Sequence, residues 1–488
     1  MASKSFNGRL DSEIFFASRV AGIPEIRDMI CEFVDAYEEY SCPTLTSLLR
    51  TNRDFFFSAV RLLWGTRTIA EYLLTLLPGV SMEYTGKYGW KIVSDLPDSI
   101  SEDFFDRFRL YGHYVKHLEF SLIEYRHTRP RNFNAIRSYA HTRVLFPNLV
   151  SLSASSPMHL AKISIDGILD WLGVFMSPTL QQLDLSAVSD ISIVCPSSVF
   201  YAPIIASLNA CPNLTKLSFS YCPLPAAADI HATVPLNLTS LRCRFARFDP
   251  ETLAWLAGIP KLQRLEFYMP EEPRPTDAGF SIDGLASSAK AQSLTLEEHS
   301  FAITMLLYQT PLVNNLTRLD MCLDSWNGWN DHAINQFFVQ LVKSCTMLSE
   351  LALNGSELLI AQSSLIHYIR ILQPLPLREL SLSDCREELL GEPKVFREIL
   401  DLWPTLHKLD LGQYTVGLDG LGEILTFCPH LLFLRLYIEM SIPDELSDEE
   451  LARALVSQSR NSYTTLKIFS SYASGPRLLS LSELDQVS

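Results

Sequence analysis

Residues 348–353 read LSELAL, and residues 406–411 repeat that arrangement as LHKLDL. Both stretches fit the pattern L-x-x-L-x-L, in which apolar and polar side chains alternate over the last positions. Such alternation predicts a short strand with one buried side. With conservative apolar substitutions allowed, the pattern occurs thirteen times, and its central leucines are Leu118, Leu152, Leu183, Leu217, Leu241, Leu265, Leu294, Leu319, Leu351, Leu380, Leu409, Leu434 and Leu466.

The spacing of these copies indicates a repeat architecture. Neighbouring copies are separated by 24 to 34 residues, with the shortest step from Leu217 to Leu241 and the longest from Leu118 to Leu152. Spacing in this range is typical of leucine-rich repeats, in which each repeat gives one strand and one return segment. The predicted fold class is therefore α/β, a leucine-rich-repeat solenoid shaped as a horseshoe with a parallel sheet inside and helices outside. Return helices are predicted over 198–210, 334–344, 395–403 and 421–427.

Charge and hydropathy narrow the possible partners. The 488 residues carry a net charge of -15, from 40 Lys plus Arg against 55 Asp plus Glu, and contain no block of basic residues. An acidic chain of this kind repels phosphate backbones, so we expect no nucleic-acid partner. The acidity favours a basic partner surface, although a solvated acidic face explains it equally well.

No segment predicts export or membrane insertion. The first residues, MASKSFNGRLDSEIFF, show no basic region followed by an apolar one, and no apolar run approaches the roughly 20 residues that a membrane span needs. We therefore expect a soluble protein of the cytoplasm, the nucleus or both, with no membrane partner. Cys211, Cys345 and Cys428 each lie three residues before the first leucine of a repeat, which predicts small buried thiols in a reducing compartment.

The N-terminal region differs from the repeats in the spacing of its apolar residues. Residues 23–34 read IPEIRDMICEFV, residues 45–56 read LTSLLRTNRDFF, and residues 62–64 read LLW. Apolar residues at helical spacing predict a helix from residue 23 to about 33 and a second helical stretch or pair up to residue 64. Taken together, these stretches resemble an F-box, and the step over 103–108 into the first repeat strand resembles the F-box-like families of mushroom-forming fungi.

The resemblance implies a small helical module that docks a Skp-type adaptor of cullin-RING ubiquitin ligases. It implies adaptor contact by residues that match the family motif, namely Ile23, Pro24, Ile26, Ile30, Leu45, Leu48, Phe56 and Trp64. An alternative stays open, in which these helices only cap the end of the solenoid, since terminal repeats need a cap.

These signals predict five regions along the chain. Residues 1–20 form a flexible leader, 21–66 the F-box-like module, 67–112 linking and capping helices, 113–469 the solenoid and 470–488 a tail. On each repeat strand, the residues between the leucines should face the concave side of the sheet. The candidate target-binding residues there are Arg242, Arg244, Arg264, Glu266, Tyr268, Arg318, Asp320, Phe433, Arg435 and Tyr437. Arg242, Arg244 and Arg264 should lie close together and could contact an anion or an acidic peptide.

The sequence gives little sign of catalysis. It has no phosphate-binding loop, nucleophile elbow or H-E-x-x-H motif, and no C-x-x-C pair that would suggest zinc. His113 and His117 are four residues apart at the start of the first strand, where a structural role is expected. We therefore predict a protein without cofactor, metal or enzymatic activity. Its predicted function is the target-recognition subunit of a Skp-cullin-F-box type ubiquitin ligase, with an unknown protein target. The alternative is a repeat scaffold unrelated to ubiquitin.

Overall fold

A computed structural model describes residues 23–37, 41–51, 53–65, 67–84, 90–94, 101–121, 133–155, 172–186, 211–219, 237–244, 256, 258–268, 291–297, 311–322, 331–354, 362–382, 400–416, 424, 430–438, 467–472 and 475–480. The chain forms two compact units. The first comprises Met1–Tyr221 and Thr233–Asn237, and the second comprises Cys222–Ala232 and Leu238–Ser488. The predicted leader (residues 1–20) and the predicted helix over 198–210 lie outside the described residues.

The first unit begins with three packed helices, α1 (Pro24–Tyr37), α2 (Ser41–Thr51) and α3 (Arg53–Gly65). Proline suits the first turn of α1, because its missing N–H would have no intrahelical acceptor there. The core of this module is a buried cluster of Cys31, Leu45, Phe55 and Ala59, one or two from each helix. The predicted helix and helix pair are confirmed.

The segment between this module and the repeats differs from the prediction. Within 67–112, where linking and capping helices are predicted, strand β1 (Arg67–Ile69) precedes a short helix α4 (Ala70–Leu74). A hairpin of β2 (Val80–Tyr84) and β3 (Trp90–Ser94) follows, which the sequence analysis did not predict. A 3-10 turn at Glu102–Phe105 then leads into α5 (Asp106–Gly112).

Parallel strands form the body of the first unit. Strand β1 pairs with β4, and β5, β6 and β7 follow in sequence order. The central leucines of β4 to β7 are paired partners across neighbouring strands, and Thr68 of β1 occupies the same row. The bounds are β4 (His117–Ser121), β5 (Ser151–Ser155), β6 (Gln182–Leu185) and β7 (Lys216–Phe219).

The second unit contains strands β8 to β17. Strands β8 to β16 are parallel and lie in sequence order, and β17 pairs antiparallel with β16 at the edge of the sheet. The bounds are β8 (Ser240–Arg244), β9 (Arg264–Tyr268), β10 (Ser293–Glu297), β11 (Arg318–Cys322), β12 (Glu350–Asn354), β13 (Glu379–Ser381), β14 (Lys408–Val416), β15 (Phe433–Ile438), β16 (Lys467–Tyr472) and β17 (Gly475–Ser480).

A single row of buried side chains runs through these strands. Leu241 pairs with Leu265, and the row continues through each predicted central leucine to Leu434. The last member is corrected, because Ile468 and not Leu466 pairs with Leu434. Side chains two positions apart point to the same face of a strand, so this shift keeps the apolar face inward. The α/β leucine-rich-repeat fold is confirmed.

The backbone fixes where each strand begins. In ten places among the described residues, one carbonyl oxygen accepts two N–H bonds from the next repeat. The Ser349 carbonyl, for example, accepts from the Arg378 nitrogen at 2.7 Å and the Glu379 nitrogen at 3.0 Å. These carbonyls belong to Lys116, Val150, Gln181, Thr239, Gln263, Gln292, Thr317, Ser349, Arg378 and His407. Neighbouring strands therefore start at the same level, which sets the register of the leucine rows.

Three longer helices lie between described strands: α6 (Phe133–Thr142), α7 (Asp331–Ser344) and α8 (Gln362–Ile371). The helix predicted over 334–344 is confirmed by α7. It buries Ile334, Phe337 and Leu341, while Val339 is half-exposed, so one side of the helix is apolar and packed. No helix in the part of the chain that the structure describes is long and apolar enough to cross a membrane.

Candidate functional site

The outer side of α1 carries an exposed apolar surface, which we call the docking face and define as Ile23, Ile26, Met29, Ile30 and Phe33. At about 100° per residue, these positions fall within an arc of about 120° on the helix. Met29 is 63% exposed and Phe33 62%, while Ile23 is 45% and Ile30 38% exposed. The predicted apolar stripe thus faces outward, and Cys31 with Val34 makes the contact with the module core.

The predicted adaptor residues of α2 have a different environment. Leu45 is fully buried in the module core, and Leu48 is partly buried against the same cluster. Their side chains hold the three helices together. Pro24 is exposed at the start of α1, outside the arc of the docking face. The structure therefore places Ile23, Ile26 and Ile30 on one side of α1 and buries Leu45 in the module core, a division that the family motif does not reveal.

Phe56 and Trp64 on α3 contact the helix that leads into the repeats. The Trp64 ring lies 5.4 Å from the ring of Tyr111, and the Phe56 ring lies 6.1 Å from it, measured between centroids. Tyr111 belongs to α5, so both aromatic residues join the module to the repeat region within one unit. Both side chains are half-buried.

Ion pairs fix the angle between the first and third helices. Arg61 of α3 contacts Glu32 of α1 at 3.1 Å and Asp28 at 3.5 Å, and Arg27 of α1 contacts Asp54 of α3 at 3.5 Å. Exposed pairs of this kind contribute little stability individually. They lie on the side of α1 that meets α3, and so leave the docking face free of charge.

The second candidate surface is the polar side of the repeat strands, which we call the open face. It consists of the residues immediately before and after each central leucine. In β12 and β11 buried and accessible residues alternate, as predicted from the period of two. Cα pairing places Arg242, Glu266 and Thr295 in one row, and Ser240, Arg264 and Ser293 in the other.

Arg242 and Arg264 are brought together by a carboxylate. Glu266 forms an ion pair with each arginine: one of its oxygens lies 2.6 Å from Nε of Arg264 and the other lies 3.2 Å from Nε of Arg242. Its side chain is 16% exposed, against 61% for Arg264 and 41% for Arg242. Two of the three arginines predicted to lie close together, Arg242 and Arg264, therefore form a cluster with a carboxylate between them. Arg244 and Tyr268 are paired Cα positions at the ends of the same two strands.

Asp320 is the most perturbed carboxyl of the open face. Burial raises its pKa; Arg318 lowers it, Glu266 raises it further, and the hydrogen bond from Asn354 and the charge of Lys408 lower it. The Asn354 Nδ2 donates to Asp320 Oδ1 at 2.9 Å. Arg318 also donates through Nη1 to Glu350 on the next strand at 3.2 Å. Glu350 and Asn354 were not among the predicted site residues.

The charged network continues toward the C-terminal strands. Arg435 lies 3.7 Å from Asp410, and Lys408 lies 3.6 Å from Glu379. The Lys408 ammonium also sits 5.4 Å from the ring centroid of Phe433, a cation–π contact. Tyr437 pairs by its Cα with Thr415 after a register irregularity in β14. Aligning the strands on their central leucines would have found these ion pairs, because they join the same positions of neighbouring repeats.

The histidine and cysteine side chains that could serve in catalysis or metal binding have structural surroundings instead. His113 Nδ1 lies 2.7 Å from the carbonyl oxygen of Arg109, and Cys211 donates its thiol to the Ser177 carbonyl. Burial raises the pKa of Cys211 to about 11 and that of Cys345 to about 12, so both thiols stay protonated at neutral pH. Within the described ranges, no three His, Cys, Asp or Glu side chains are grouped as a metal site requires.

No protein-family model matches the sequence, and a search of the curated proteins found no match. Among solved structures, the TLR13–ssRNA13 complex is similar over 80% of this chain, with 14% identity and a TM-score of 0.35. The chain spans 55% of the length of that TLR13 chain. The complex of Rad7 and Elc1 in yeast is similar over 91% of this chain and 98% of the other, with 13% identity and a TM-score of 0.32.

A protein of Bacteroides fragilis is similar over 71% of this chain and 72% of its own, with 15% identity and a TM-score of 0.22. These are likenesses of fold at low sequence identity. The leucine-rich-repeat assignment rests on the paired leucine rows described above.

Proposed function

We propose that this chain is the target-recognition subunit of a Skp-cullin-F-box type ubiquitin ligase. Helices α1 to α3 dock the Skp-type adaptor, the open face of the repeats binds a protein target, and catalysis belongs to other subunits. The chain itself is not an enzyme in this proposal and needs no cofactor. The observation that carries the proposal is the docking face, an apolar surface exposed on a helix of the F-box-like module.

The docking face supports this function on physical grounds. The module already has a core of its own, formed by Cys31, Leu45, Phe55 and Ala59. Exposed apolar residues clustered on one side of a helix are therefore in excess of what packing requires, and such patches mark interaction sites. An apolar helix face docking into a groove is a recurrent mode of recognition, with anchors at helical spacing.

The roles of the motif residues can be divided accordingly. In the proposal, Ile23, Pro24, Ile26 and Ile30 contact the adaptor, while Leu45 and Leu48 hold the helix that presents them. Phe56 and Trp64 orient the module against the repeats through Tyr111. Among the described open-face residues, Arg242, Arg264, Arg318 and Arg435 are exposed cations that a target could contact.

A specific observation favours the second candidate, a repeat scaffold whose N-terminal helices act only as a cap. Two residues of the F-box-like motif, Phe56 and Trp64, contact Tyr111 of the same chain. A cap needs such contacts and has no use for exposed apolar residues on its outer side. The two functions therefore differ in what they require of Met29 and Ile30.

The test is co-purification of the full-length chain with a purified Skp-type adaptor, comparing the wild type with Met29→Asp plus Ile30→Asp. Burial of two such side chains in an interface contributes about 1.5–3 kcal/mol each, so the double variant should bind at least about 100-fold more weakly. Val339→Asp is the matched control, since Val339 is 50% exposed on α7 of the other unit. Equal binding by wild type and double variant, or no binding by a folded wild type, would leave the cap function.

A further inference from the structure

Arg242, Arg264 and Glu266 form a compact arrangement on two neighbouring strands of the second unit. Arg242 on β8 and Glu266 on β9 are paired Cα positions, and Arg264 lies two residues before Glu266 on the same strand. All three side chains therefore project from one face of the sheet. We call them the arginine clamp.

The contacts of the clamp leave specific donors available. Each arginine reaches Glu266 through its Nε atom, Arg264 at 2.6 Å and Arg242 at 3.2 Å. The side chain of Arg264 is 61% exposed and that of Arg242 is 41% exposed, so both guanidinium groups are accessible to solvent. A guanidinium presents its donors in a rigid planar fork that matches a carboxylate. The terminal N–H groups of both forks are thus open to a partner.

Glu266 prepares the site without neutralising it. One carboxylate lies between two guanidinium groups, so the clamp keeps a net charge of about +1 within a chain whose net charge is -15. Holding each arginine by Nε restricts its rotamers before a partner arrives. Binding then costs less side-chain entropy than it would for two unrestrained arginines, each of which would lose on the order of 0.5–1.5 kcal/mol.

A third arginine, Arg318, lies in the same row of the open face as Arg264. Ser293 on β10 pairs with Arg264, and Arg318 on β11 pairs with Ser293, so two strand spacings separate the two arginines. At about 4.8 Å per spacing this is about 10 Å. In a peptide with the polyproline II conformation, which has three residues per turn and rises about 3.1 Å per residue, side chains three positions apart lie on the same side and about 9 Å apart.

We propose that the arginine clamp binds a carboxylate of an acidic target peptide, and that Arg318 binds a second carboxylate three residues further along. The peptide crosses strands β9 to β11 in the polyproline II conformation, with small residues over Ser293 and Thr295. This inference rests on the proposed target-binding function of the open face and is independent of adaptor docking. It defines the target as a protein with an acidic-x-x-acidic segment.

The probe is a fluorescein-labelled peptide, Ser-Ala-Glu-Ala-Ser-Glu-Ala-Ser, measured by fluorescence anisotropy with the full-length chain at low salt. A matched peptide has glutamine in place of both glutamates. The wild type should bind the glutamate peptide at least about tenfold more tightly than the glutamine peptide, because charge-assisted hydrogen bonds are lost in the second. Added salt should weaken binding, since the contact is exposed to solvent.

The decisive variant is Arg242→Gln plus Arg264→Gln, which should lower the affinity for the glutamate peptide at least about tenfold. Arg143→Gln is the matched control, because the Arg143 side chain is 59% exposed and pairs with a carboxylate, Glu102, away from the open face. It should change the affinity less than about twofold. Circular dichroism melting and co-purification with the adaptor check that the double variant is folded.

Three results would overturn the inference: no binding by the wild type, equal binding of the glutamine peptide, or undiminished binding by the folded double variant. Full displacement of the peptide by equimolar inorganic phosphate would also overturn it, and would assign the clamp to a phosphate ligand. Failure of the adaptor experiment alone would reject the ligase function and leave the peptide result standing.

Discussion

Asn213 shows how one side chain links neighbouring repeats. Its Nδ2 donates to the Pro178 carbonyl at 3.0 Å, and Asn237 donates in the same way to the Pro212 carbonyl. Thr179 occupies the equivalent position one repeat earlier and bonds the Pro147 carbonyl. The residue before the first leucine of a repeat therefore satisfies a backbone acceptor of the preceding turn. This contact gives a structural role to the asparagine of the Asn-Leu-Thr tripeptides at 213–215 and 237–239.

The contact can be tested at Asn213. Asn213→Ala should lower the free energy of unfolding by about 0.5–1.5 kcal/mol, the usual contribution of such a hydrogen bond. Gln373→Ala is the control, because Gln373 is exposed and a substitution at an exposed position changes stability little. The measurement is the urea midpoint of each variant. Equal shifts for the two substitutions would contradict a role for the inter-repeat bond.

The buried carboxyl of Asp320 predicts a dependence of stability on pH. Its pKa is raised in the folded chain, chiefly by burial, so the folded state binds this proton more tightly than the unfolded state. Stability is therefore highest below the unfolded pKa of about 3.9 and is lost as pH rises through the folded pKa. At neutral pH the ionised carboxylate destabilises the fold relative to a neutral side chain.

Asp320→Asn should remove this loss and keep the acceptor for Asn354. We expect its melting temperature to exceed that of the wild type at pH 7, with the difference disappearing below about pH 4. Asp401→Asn, at an exposed position, should change the melting temperature little. Melting curves across this pH range check the prediction, and a lower melting temperature for Asp320→Asn at pH 7 would contradict it.

At the scale of the element, α1 combines two faces that the sequence could not separate. Ile23, Ile26, Ile30 and Phe33 have helical spacing, which predicts a helix but does not say which side is buried. The structure packs Cys31 and Val34 inward and leaves the predicted stripe outside. The side was undetermined because three short amphipathic helices can be packed in more than one way, and only their mutual contacts decide.

Leu45 and Ile30 make this division testable. Leu45→Ala should destabilise the module by about 2–5 kcal/mol, since it empties a fully buried position. Ile30→Ala removes a partly exposed side chain and should change stability by about 0.5 kcal/mol or less. Limited proteolysis of the full-length chain, followed at sites within 23–65, reports on the module directly. Equal resistance of the two variants would contradict the assignment of Leu45 to the core.

The strands were the most predictable elements. Alternation with a period of two identified the central leucines from Leu118 to Leu434 because each buried face repeats the same short pattern. Strand β1 was missed because Arg67–Ile69 is too short to show alternation. In addition, Thr68 occupies the position that a central leucine has in the other strands. The open-face ion pairs were missed for another reason. Arg318 and Glu350 are 32 residues apart, and they become neighbours only when β11 and β12 are aligned on their central leucines, an alignment that the sequence analysis did not make.

For the molecule as a whole, stability belongs to the stacked array. One repeat strand buries about three aliphatic side chains at roughly 1.5–3 kcal/mol each, whereas ordering its residues costs on the order of 1–2 kcal/mol per residue. A single repeat is therefore unstable, and stacking supplies the remaining contacts. The antiparallel β17 covers the last edge at β16, where an unpaired strand would favour association with other chains.

The whole chain thus offers two surfaces of opposite chemistry, the apolar docking face on α1 and the charged open face on the strands. The proposed function needs both, because a target-recognition subunit must hold an adaptor and a target at once. The two surfaces share no residue, so substitutions in one should leave binding at the other unchanged. The Met29 and Ile30 double variant and the Arg242 and Arg264 double variant together test this separation.

The central claim is that α1 is the adaptor-binding element. Hydrogen–deuterium exchange of the full-length chain, with and without a purified Skp-type adaptor, tests it most directly. The account predicts slower exchange on adding the adaptor over 24–37, with the strand segments of the repeats unchanged. No added protection over 24–37, or protection confined to the repeat strands, would contradict it.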